Sequence, residues 1–365
     1  LVLYRYDEKA ETWNHETREK TGTSLTPLAF SADDKEFYAL HSKTGEPAAL
    51  IKENMQTGER VTLLQDTHAE ITQLAWGAEK TIPFAAGTSI GIPTLSYIAP
   101  NTVEAKLHRA LSDKFPGDTL NFINYTDDGS KLLFSVRSDR EPGAYSIFDR
   151  SLNKAYPLFA SKQAIDPDQM SARRPIKFTT RDGINLDGYF TVPKMLAPQK
   201  KMPMVILPHG GPHGPADEWH FDNDAQFLAS RGYAVLQVNF RGSGGRGNKF
   251  MASGFRKWGS DIQNDLIDGV KWAIAQNNVD PARICTYGVS FGAYSALMMA
   301  VREPDMFKCA IGYAGVYDLN LLFTSEEARD RQFQAVMTRY VGRDNAELDK
   351  FSPAKHADKI KIPVL

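Results

Sequence analysis

The pentapeptide Gly288-Val-Ser-Phe-Gly292 constrains the fold of this chain more than any other feature. A short apolar run, residues 284–287, precedes it, and a helix rich in small residues is predicted to follow. A serine between two glycines in a strand–turn–helix context is typical of a nucleophile elbow. So sharp a turn forces Ser290 into a strained backbone conformation, and side chains two residues to either side would collide. The pattern therefore predicts an exposed and reactive hydroxyl at Ser290.

Two backbone N–H groups are candidates for stabilising negative charge beside that hydroxyl. Phe291 follows the serine at the start of the predicted helix, where its N–H and the helix dipole favour a developing oxyanion. The second candidate is Gly211, in the loop 208–214 that follows the apolar run 204–207. A His-Gly-Gly sequence after an early strand is a known source of the second donor. Without these neighbours, the pentapeptide could equally be a glycine-rich turn with an ordinary exposed serine.

Two other kinds of site share these residue types. His209, His213 and His220 could bind a metal ion, but no carboxylate stands at the usual spacing from them. Residues 242–247 formally match the dinucleotide-binding pattern Gly-x-Gly-x-x-Gly. That pattern should open directly into a helix, with an acidic residue ending a second strand about 20 residues later. A polar and aromatic stretch follows instead, so we expect residues 242–247 to form a loop beside the active site and to bind no dinucleotide cofactor. Since no carboxylate accompanies the histidines, we also expect no metal ion.

The length, net charge and cysteine content of the chain indicate an ordinary globular protein. With 365 residues, two domains are the natural expectation. The net charge of −1 creates no field that would attract nucleic acid or an acidic membrane, and no apolar run is long enough to span a bilayer. Cys285 and Cys309 each lie in an apolar, strand-like run, and we expect them to be buried free thiols rather than a disulfide.

Residues 1–165 show repeated β-like segments without helical periodicity. Three segments consist of an apolar or aromatic run, a polar tight turn and a further β-like run, and their aromatic residues Phe30, Trp76 and Tyr125 recur after 46 and 49 residues. This period lies in the range of propeller blades, with an irregular β-sandwich as the alternative. About 165 residues hold only three to four blades, whereas rings usually need four to eight. We therefore expect further blades to precede this chain.

Residues 166–365 change to an alternation of strands and helices. After a polar linker at 160–175, Asp182-Gly183 between two alternating runs predicts a hairpin. Apolar runs then predict strands at 204–207, 234–240, 284–287, 309–313 and 362–365. Residues 261–276 place apolar side chains at helical spacing. This alternation favours a mostly parallel sheet that is covered by helices on both faces.

Several short motifs between residues 175 and 365 occur in the order and spacing of the prolyl oligopeptidase family. They are His209-Gly-Gly-Pro212, the run 226–243, Trp258-Gly259 with Asp261 and Asp265, Asp280-Pro-Ala-Arg283, Gly288-Val-Ser-Phe-Gly292, Pro304-Asp-Met-Phe-Lys308 and Ala314-Gly-Val-Tyr-Asp318. The chain most resembles the acylaminoacyl-peptidase and dipeptidyl-peptidase-like branch. It departs from that branch at Phe291 and Ala293, where Tyr and Gly are common. The resemblance implies an α/β-hydrolase catalytic domain preceded by an all-β propeller, here incomplete.

The resemblance also implies a serine peptidase that cleaves short peptides through a Ser–Asp–His triad, with Ser290 as nucleophile and the propeller restricting access. His356 precedes a predicted strand, which places it at the wrong edge of the sheet to serve as the base. Asp318 follows a strand at the correct edge and stays open as the acid. In this family the acid and the histidine follow the next strand, so we expect both beyond residue 365.

Two other function classes stay open beside the peptidase. A carboxylesterase-type α/β-hydrolase would use the same elbow, but simple esterases carry small helical caps rather than a preceding β-repeat domain. A non-catalytic protein would use the propeller as a binding surface. The expected partner is an oligopeptide substrate, and self-association stays open. The compartment also stays open between the cytoplasm and, if a signal peptide was removed, the bacterial periplasm.

Overall fold

A computed structural model describes residues 4–7, 9–15, 23–194, 201–324 and 330–365. The chain forms two compact units. The first contains residues 1–136, 144–159 and 245–249, and the second contains residues 137–143, 160–244 and 250–365. None of the helices in the described ranges has the length and apolar character needed to cross a bilayer.

The first unit contains four sheets in which neighbouring strands follow one another in the chain. They comprise a pair (β1 Tyr4–Asp7, β2 Thr12–His15), a four-stranded sheet (β3 Ser24–Phe30, β4 Glu36–Ser42, β5 Ala49–Asn54, β6 Arg60–Leu64), a three-stranded sheet (β7 Gln73–Trp76, β8 Pro83–Thr88, β9 Thr94–Tyr97) and a second four-stranded sheet (β10 Thr119–Tyr125, β11 Lys131–Arg137, β12 Ala144–Asp149, β13 Lys154–Ala160). Helix α1, Val103–Ser112, separates β9 from β10 and begins after Thr102, whose side chain accepts the N–H of Ala105.

In both four-stranded sheets, the turn that joins the first two strands has the same pattern of side-chain hydrogen bonds. Between β3 and β4, Ser31 Oγ donates to Asp33 Oδ1 at 2.8 Å and accepts the N–H of the first residue of β4. Between β10 and β11, Thr126 Oγ1 donates to Asp128 Oδ1 at 2.6 Å and accepts the N–H of the first residue of β11. Two of the three repeats found in the sequence, those at Phe30 and Tyr125, therefore also share a turn structure. Their interpretation as propeller blades stays a prediction.

The second unit is built on a six-stranded sheet in the order β14-β15-β17-β16-β18-β19. Its strands are β14 Arg173–Thr179, β15 Asn185–Thr191, β16 Met202–Ile206, β17 Ala234–Asn239, β18 Val279–Val289 and β19 Cys309–Tyr313. The predicted hairpin joins β14 to β15, and both β14–β15 and β15–β17 are antiparallel. The three remaining pairs are parallel, as the alternation of strands and helices predicted.

Helices cover the two faces of this sheet to different extents. Leu236 and Val238 on β17 join the main core with residues of α4 and α5, while Val235 packs with Ala225 of α2 in a smaller cluster on the alternate face. The helices are α2 Asn223–Ser230, α3 Asn248–Ser253, α4 Asp261–Ala275, α5 Phe291–Arg302, α6 Leu321–Thr324, α7 Arg331–Tyr340 and α8 Asn345–Lys350, with 3-10 turns at Pro167–Gln169 and Pro353–Lys359. The predicted helix from Asp261 is confirmed as α4.

The structure corrects two expectations at the β19 edge. Cys285 and Cys309 form a disulfide rather than two free thiols, because the parallel register places them directly opposite each other with Cα atoms 4.8 Å apart. Sequence alone does not reveal a register between strands so far apart in the chain. The strand predicted at residues 362–365 is reduced to a single parallel bridge between Val364 and Ala310.

Candidate active site

The elbow predicted at Ser290 lies at the junction of β18 and α5. Strand β18 ends at Val289, α5 begins at Phe291, and the serine between them has φ 57° and ψ −120°. This positive φ is unfavourable for any residue with a side chain and persists only where the surroundings enforce it. The N–H of Ser290 donates to the Tyr313 carbonyl at the end of β19, at 2.9 Å. The turn is thereby tied to the neighbouring strand, and Ser290 stays exposed.

The glycines on either side of the serine are required by close backbone contacts. A Cβ atom at Gly288 would collide with the backbone of Gly292. A Cβ atom at Gly292 would collide with the carbonyl oxygen of Pro208. The elbow therefore closes on itself and also touches the start of the loop that follows β16.

That loop, residues 208–214, passes directly beside the serine. A Cβ atom at Gly210 would lie 3.8 Å from Cβ of Ser290. The next residue, Gly211, has φ 118° and precedes a cis peptide bond to Pro212, and its own Cβ would meet the Pro215 ring at 3.0 Å. Only glycine accommodates this conformation readily. The structure thus brings together Ser290 and the glycine pair that the sequence singled out.

The two candidate oxyanion donors have no acceptor of their own within the described part of the chain. Neither the N–H of Phe291 nor that of Gly211 donates to a protein oxygen there. The N–H of Phe291 is at the first residue of a 12-residue helix, where orphan donors and the helix dipole favour negative charge. Their roles as oxyanion donors stay predictions, but both groups are free to bind a ligand oxygen.

His209 supports the glycine pair from one side. Its Nδ1 lies 2.7 Å from the Gly210 carbonyl, which can only accept, so Nδ1 carries the proton. The other nitrogen, Nε2, therefore accepts from the hydroxyl of the buried Ser243 at 2.8 Å. The imidazole also stacks on Phe240 with ring centres 4.3 Å apart. These contacts orient the ring inside the protein and leave neither nitrogen free for a metal ion.

The other two histidines of the metal hypothesis have separate surroundings. His213 accepts a hydrogen bond from Trp258, and the backbone carbonyl of His220 accepts one from Arg173. Among the residues that the structure describes, no group of three or more His, Cys, Asp or Glu side chains is placed to hold a metal ion.

The glycine-rich run 242–247 is engaged with protein groups. Helix α3 follows it directly, within the stretch that was predicted to be polar and aromatic rather than to open into a helix. Residues 245–249 pack within the first unit, where the Gly245 carbonyl accepts from Glu70 N–H and the Lys249 N–H donates to the Gly45 carbonyl, both at 2.8 Å. These backbone groups are bonded to protein, so the run does not form a phosphate cradle.

The two residues considered as triad partners are engaged elsewhere. Asp318 accepts from the Asn320 side chain at 2.8 Å and pairs with Lys355 at 3.3 Å, and these contacts hold the pKa of its carboxyl below the usual value. His356 lies 2.9 Å from the Lys350 carbonyl through Nε2. Within the described ranges no histidine is hydrogen-bonded to Ser290. The described residues therefore bring together the candidate nucleophile and the two candidate donors, and they place no base beside Ser290.

Sequence reasoning missed the residues that carry the loops around the serine. Arg241, two residues after the end of β17, donates to the fully buried Asp265 from its backbone N–H, its Nε and its Nη2, at 2.9, 2.8 and 2.6 Å. This ion pair anchors the start of the turn that presents Ser243 to His209. The only available signal was that Arg241 and Asp265 belong to two neighbouring motifs, and this did not indicate that their side chains meet.

Comparison with known proteins finds similarity to one family. Residues 219–365, which include the elbow, match a sequence model described as the Prolyl oligopeptidase family. Dipeptidyl aminopeptidase BIII of Pseudoxanthomonas mexicana is 28% identical over 359 residues, which cover 94% of this chain and 51% of that protein. The resemblance predicted from the sequence motifs is confirmed. The chain spans about half the length of the curated relatives it matches.

Solved structures show the same fold. A puromycin-hydrolyzing peptidase of Mycobacterium tuberculosis superposes with a TM-score of 0.70 at 19% identity, covering 94% of this chain and 53% of that one. A puromycin hydrolase superposes with a TM-score of 0.73 at 18% identity, covering 100% of this chain and 55% of that one. At such low identities the likeness concerns the path of the backbone.

Proposed function

We propose, on the premise that residues 219–365 belong to the prolyl oligopeptidase family, that the protein is a serine peptidase acting on short peptides through an acyl-enzyme at Ser290. The observation that carries the proposal is the placement of one exposed, conformationally strained serine against the Gly210–Gly211 backbone. A serine without a chemical role has no need of a positive φ, which costs about 1–3 kcal/mol.

In the proposed reaction, Ser290 Oγ attacks the carbonyl carbon of the scissile peptide bond. The carbonyl oxygen becomes negative as the C–O bond forms, and the N–H groups of Phe291 and Gly211 bind it. Each such donor contributes about 100- to 1,000-fold to the rate in comparable enzymes. Collapse of the tetrahedral intermediate breaks the C–N bond and releases the amine product, leaving the acyl group on Ser290. Water then hydrolyses this ester.

The proton of Ser290 needs an acceptor, and the described residues place none beside it. We propose that the triad aspartate and histidine come from a part of the protein outside residues 1–365. Two observations support this: Asp318 and His356 are bonded elsewhere, and the chain spans about half the length of its relatives. Without the histidine, activity should fall by about 10⁴- to 10⁶-fold.

The first unit is proposed to be part of a β-propeller that restricts the substrate to short peptides. Sheets of consecutive strands and the repeated turn at Ser31 and Thr126 support the propeller. The restriction itself is carried over from the family resemblance. A length series of peptides with one common cleavage site tests it, because turnover should fall once the peptide is too large to enter.

The decisive experiment labels the full-length protein with a fluorophosphonate probe, which phosphonylates activated serines by forming an O–P bond with loss of fluoride. We expect labelling of the wild-type protein and none of Ser290→Ala. Ser295→Ala is a matched control, because Ser295 lies on the same helix but is buried and bonded to Gln263. Equal labelling of wild type and Ser290→Ala would overturn the proposal.

The carboxylesterase alternative is tested by comparing turnover of a peptide anilide with that of a short-chain ester on the same preparation. A peptidase has to protonate a poor amine leaving group, whereas the alcohol group of an ester leaves more readily without that help. We expect measurable anilide turnover that Ser290→Ala abolishes. Ester turnover without anilide turnover would favour the esterase.

A further inference from the structure

Two parts of the chain must be held at a fixed separation if both donors are to bind one oxygen. Phe291 N–H belongs to the elbow, and Gly211 N–H belongs to the loop after β16. A misplacement of about 1 Å can cost a hundredfold in rate. The elbow and the loop touch at Gly292 and Pro208, but this contact alone does not hold the far end of the loop.

One side chain bridges the loop and the elbow. Trp258 is buried, and its indole N–H donates to Nε2 of His213 at 3.1 Å. The indole also packs edge-on against the ring of Phe291, with centroids 4.8 Å apart and planes at 76°. His213 lies two residues after Gly211, which carries one candidate donor, and Phe291 carries the other. Trp258 therefore contacts the two donor segments at once.

The histidine end of this bridge is fixed in position and in protonation state. The rings of Phe255 and Tyr340 pack edge-on against His213 with centroids 4.9 and 4.6 Å away. Burial lowers the pKa of His213 to about 4, so the imidazole is neutral at ordinary pH. Since an indole N–H can only donate, Nε2 is the acceptor and the proton lies on Nδ1.

We propose that Trp258 is a positioning residue that sets the distance between the two oxyanion donors through His213 and Phe291. The inference rests on the proposed function of Ser290. A second, purely aromatic route joins the loop to the same ring, because His209 stacks on Phe240 and Phe240 packs on Phe291 with centroids 5.6 Å apart. Loss of the Trp258 hydrogen bond should therefore loosen the loop without releasing it.

The test uses the full-length protein with Trp258→Phe, His213→Phe and the double variant. Each single variant keeps an aromatic ring and removes one end of the hydrogen bond. We expect about a tenfold fall in kcat with KM within about twofold, since the interaction acts on the transition state. The double variant should lose the same factor as each single one, because both changes remove one interaction. Multiplied losses, or a change carried by KM, would overturn the proposal.

Trp219→Phe is the matched control. Trp219 is a buried tryptophan of the same unit that also donates its indole N–H, in this case to the Arg173 carbonyl at 3.0 Å. A general effect of losing a buried indole would appear in this variant too. We expect its kcat to stay within about twofold of wild type, because surface and core changes away from the site act on stability rather than on the barrier.

A transition-state analogue separates positioning from general damage. A peptide boronate forms a tetrahedral adduct with the nucleophile and places an oxygen between the two donors. Its inhibition constant should rise in Trp258→Phe by the same factor as kcat falls. Binding of the uncleaved peptide to proteins that carry Ser290→Ala should not change. A boronate affinity equal to that of wild type would contradict the role.

Hydrogen exchange of the indole N–H tests the bridge without any activity. In ¹⁵N-tryptophan-labelled protein, the signal absent from Trp258→Phe identifies the residue. We expect slow exchange in the wild type and faster exchange in His213→Phe. Equal exchange rates would show that no such bond exists, whereas a protected indole in a protein without Ser290-dependent labelling would disprove the proposed function instead. The two failures are therefore distinguishable.

Discussion

The elbow at residues 288–292 and the loop at 208–214 face the same hydroxyl, but they are held in different ways. The elbow is shaped by its own glycines, which meet within the turn, and by the backbone bond from Ser290 to Tyr313. The loop is shaped by side chains from other elements, including Ser243 and Trp258. One region is built from local sequence, and the other is built from tertiary contacts.

This difference has consequences for mutation. A change in the elbow should act directly on the nucleophile and should be visible as lost activity. A change in the support of the loop should act first on folding or on the placement of the second donor. Variants that alter only one of the two regions therefore test whether the elbow and the loop are held in different ways.

The largest effect should come from the ion pair that anchors the support of the loop. Asp265→Asn removes the fully buried partner of Arg241, whose remaining pairs, with Asp182 at 2.8 Å and Asp261 at 3.8 Å, involve partly exposed carboxylates. Losing one member of a buried pair typically costs about 3–5 kcal/mol. We expect a loss of this size in the free energy of unfolding of the second unit, measured by urea denaturation.

Asp268→Asn is the control for that variant. Asp268 lies on the same helix and pairs with Arg181, and the Asp268 and Arg181 side chains are 10% and 44% exposed. Because solvent reaches the arginine of this pair, we expect a smaller loss, of about 1 kcal/mol. If both variants lost the same stability, the Arg241–Asp265 pair would not be a special anchor, and the contrast between the loop and the elbow would weaken.

The next largest effect should come from the disulfide, which joins β18, the strand that leads into the elbow, to β19. Cys285 and Cys309 are 24 residues apart, and a bridge that closes a loop of this length should contribute about 3 kcal/mol. We expect Cys285→Ala/Cys309→Ala to unfold at lower urea concentration than wild type in oxidising buffer. In the presence of a reductant the two proteins should unfold together. Equal stability without reductant would show that the parallel strands need no covalent link.

The sequence was sufficient for the features whose determinants are close together in the chain. The pentapeptide at Ser290 predicted its own turn, Asp182-Gly183 predicted the hairpin of β14 and β15, and the spacing of apolar side chains predicted α4. In each case the physical cause lies within a few residues. Local sequence patterns report such causes directly.

Features that depend on register or on distant partners could not be predicted in the same way. The disulfide depends on how β18 and β19 align, and periodicity does not encode alignment between parallel strands. Trp258 was noticed only as part of a family motif, and nothing in its neighbours shows that it meets His213. The candidate site was therefore predicted at its nucleophile and glycines, but not in the side chains that hold them.

Gly292→Ala tests how directly the elbow acts on the chemistry. The added methyl group would meet the Pro208 carbonyl oxygen, so either the helix start or the loop has to move. We expect at least about a hundredfold loss in kcat/KM, which corresponds to about 2.7 kcal/mol. Gly232→Ala is the control, because Gly232 has φ 90° but open space around it. It should cost about 1 kcal/mol of stability and leave activity unchanged.

The smallest effect concerns pH, and it should distinguish the two regions most cleanly. The elbow contains no titratable side chain, whereas the loop contains His213, whose pKa is lowered by burial to about 4. The unfolded chain binds this proton near pH 6.5, so the stability that neutral His213 provides is complete above pH 6.5 and declines as pH falls toward 4. We expect the difference in unfolding free energy between wild type and His213→Phe to shrink over that interval.

The pKa values of His108 and His220 are also lowered by burial, but both residues are present in the two proteins and cancel in the difference. A difference that stayed constant with pH would mean that His213 is not held neutral by its aromatic neighbours. The loop would then be as independent of titration as the elbow.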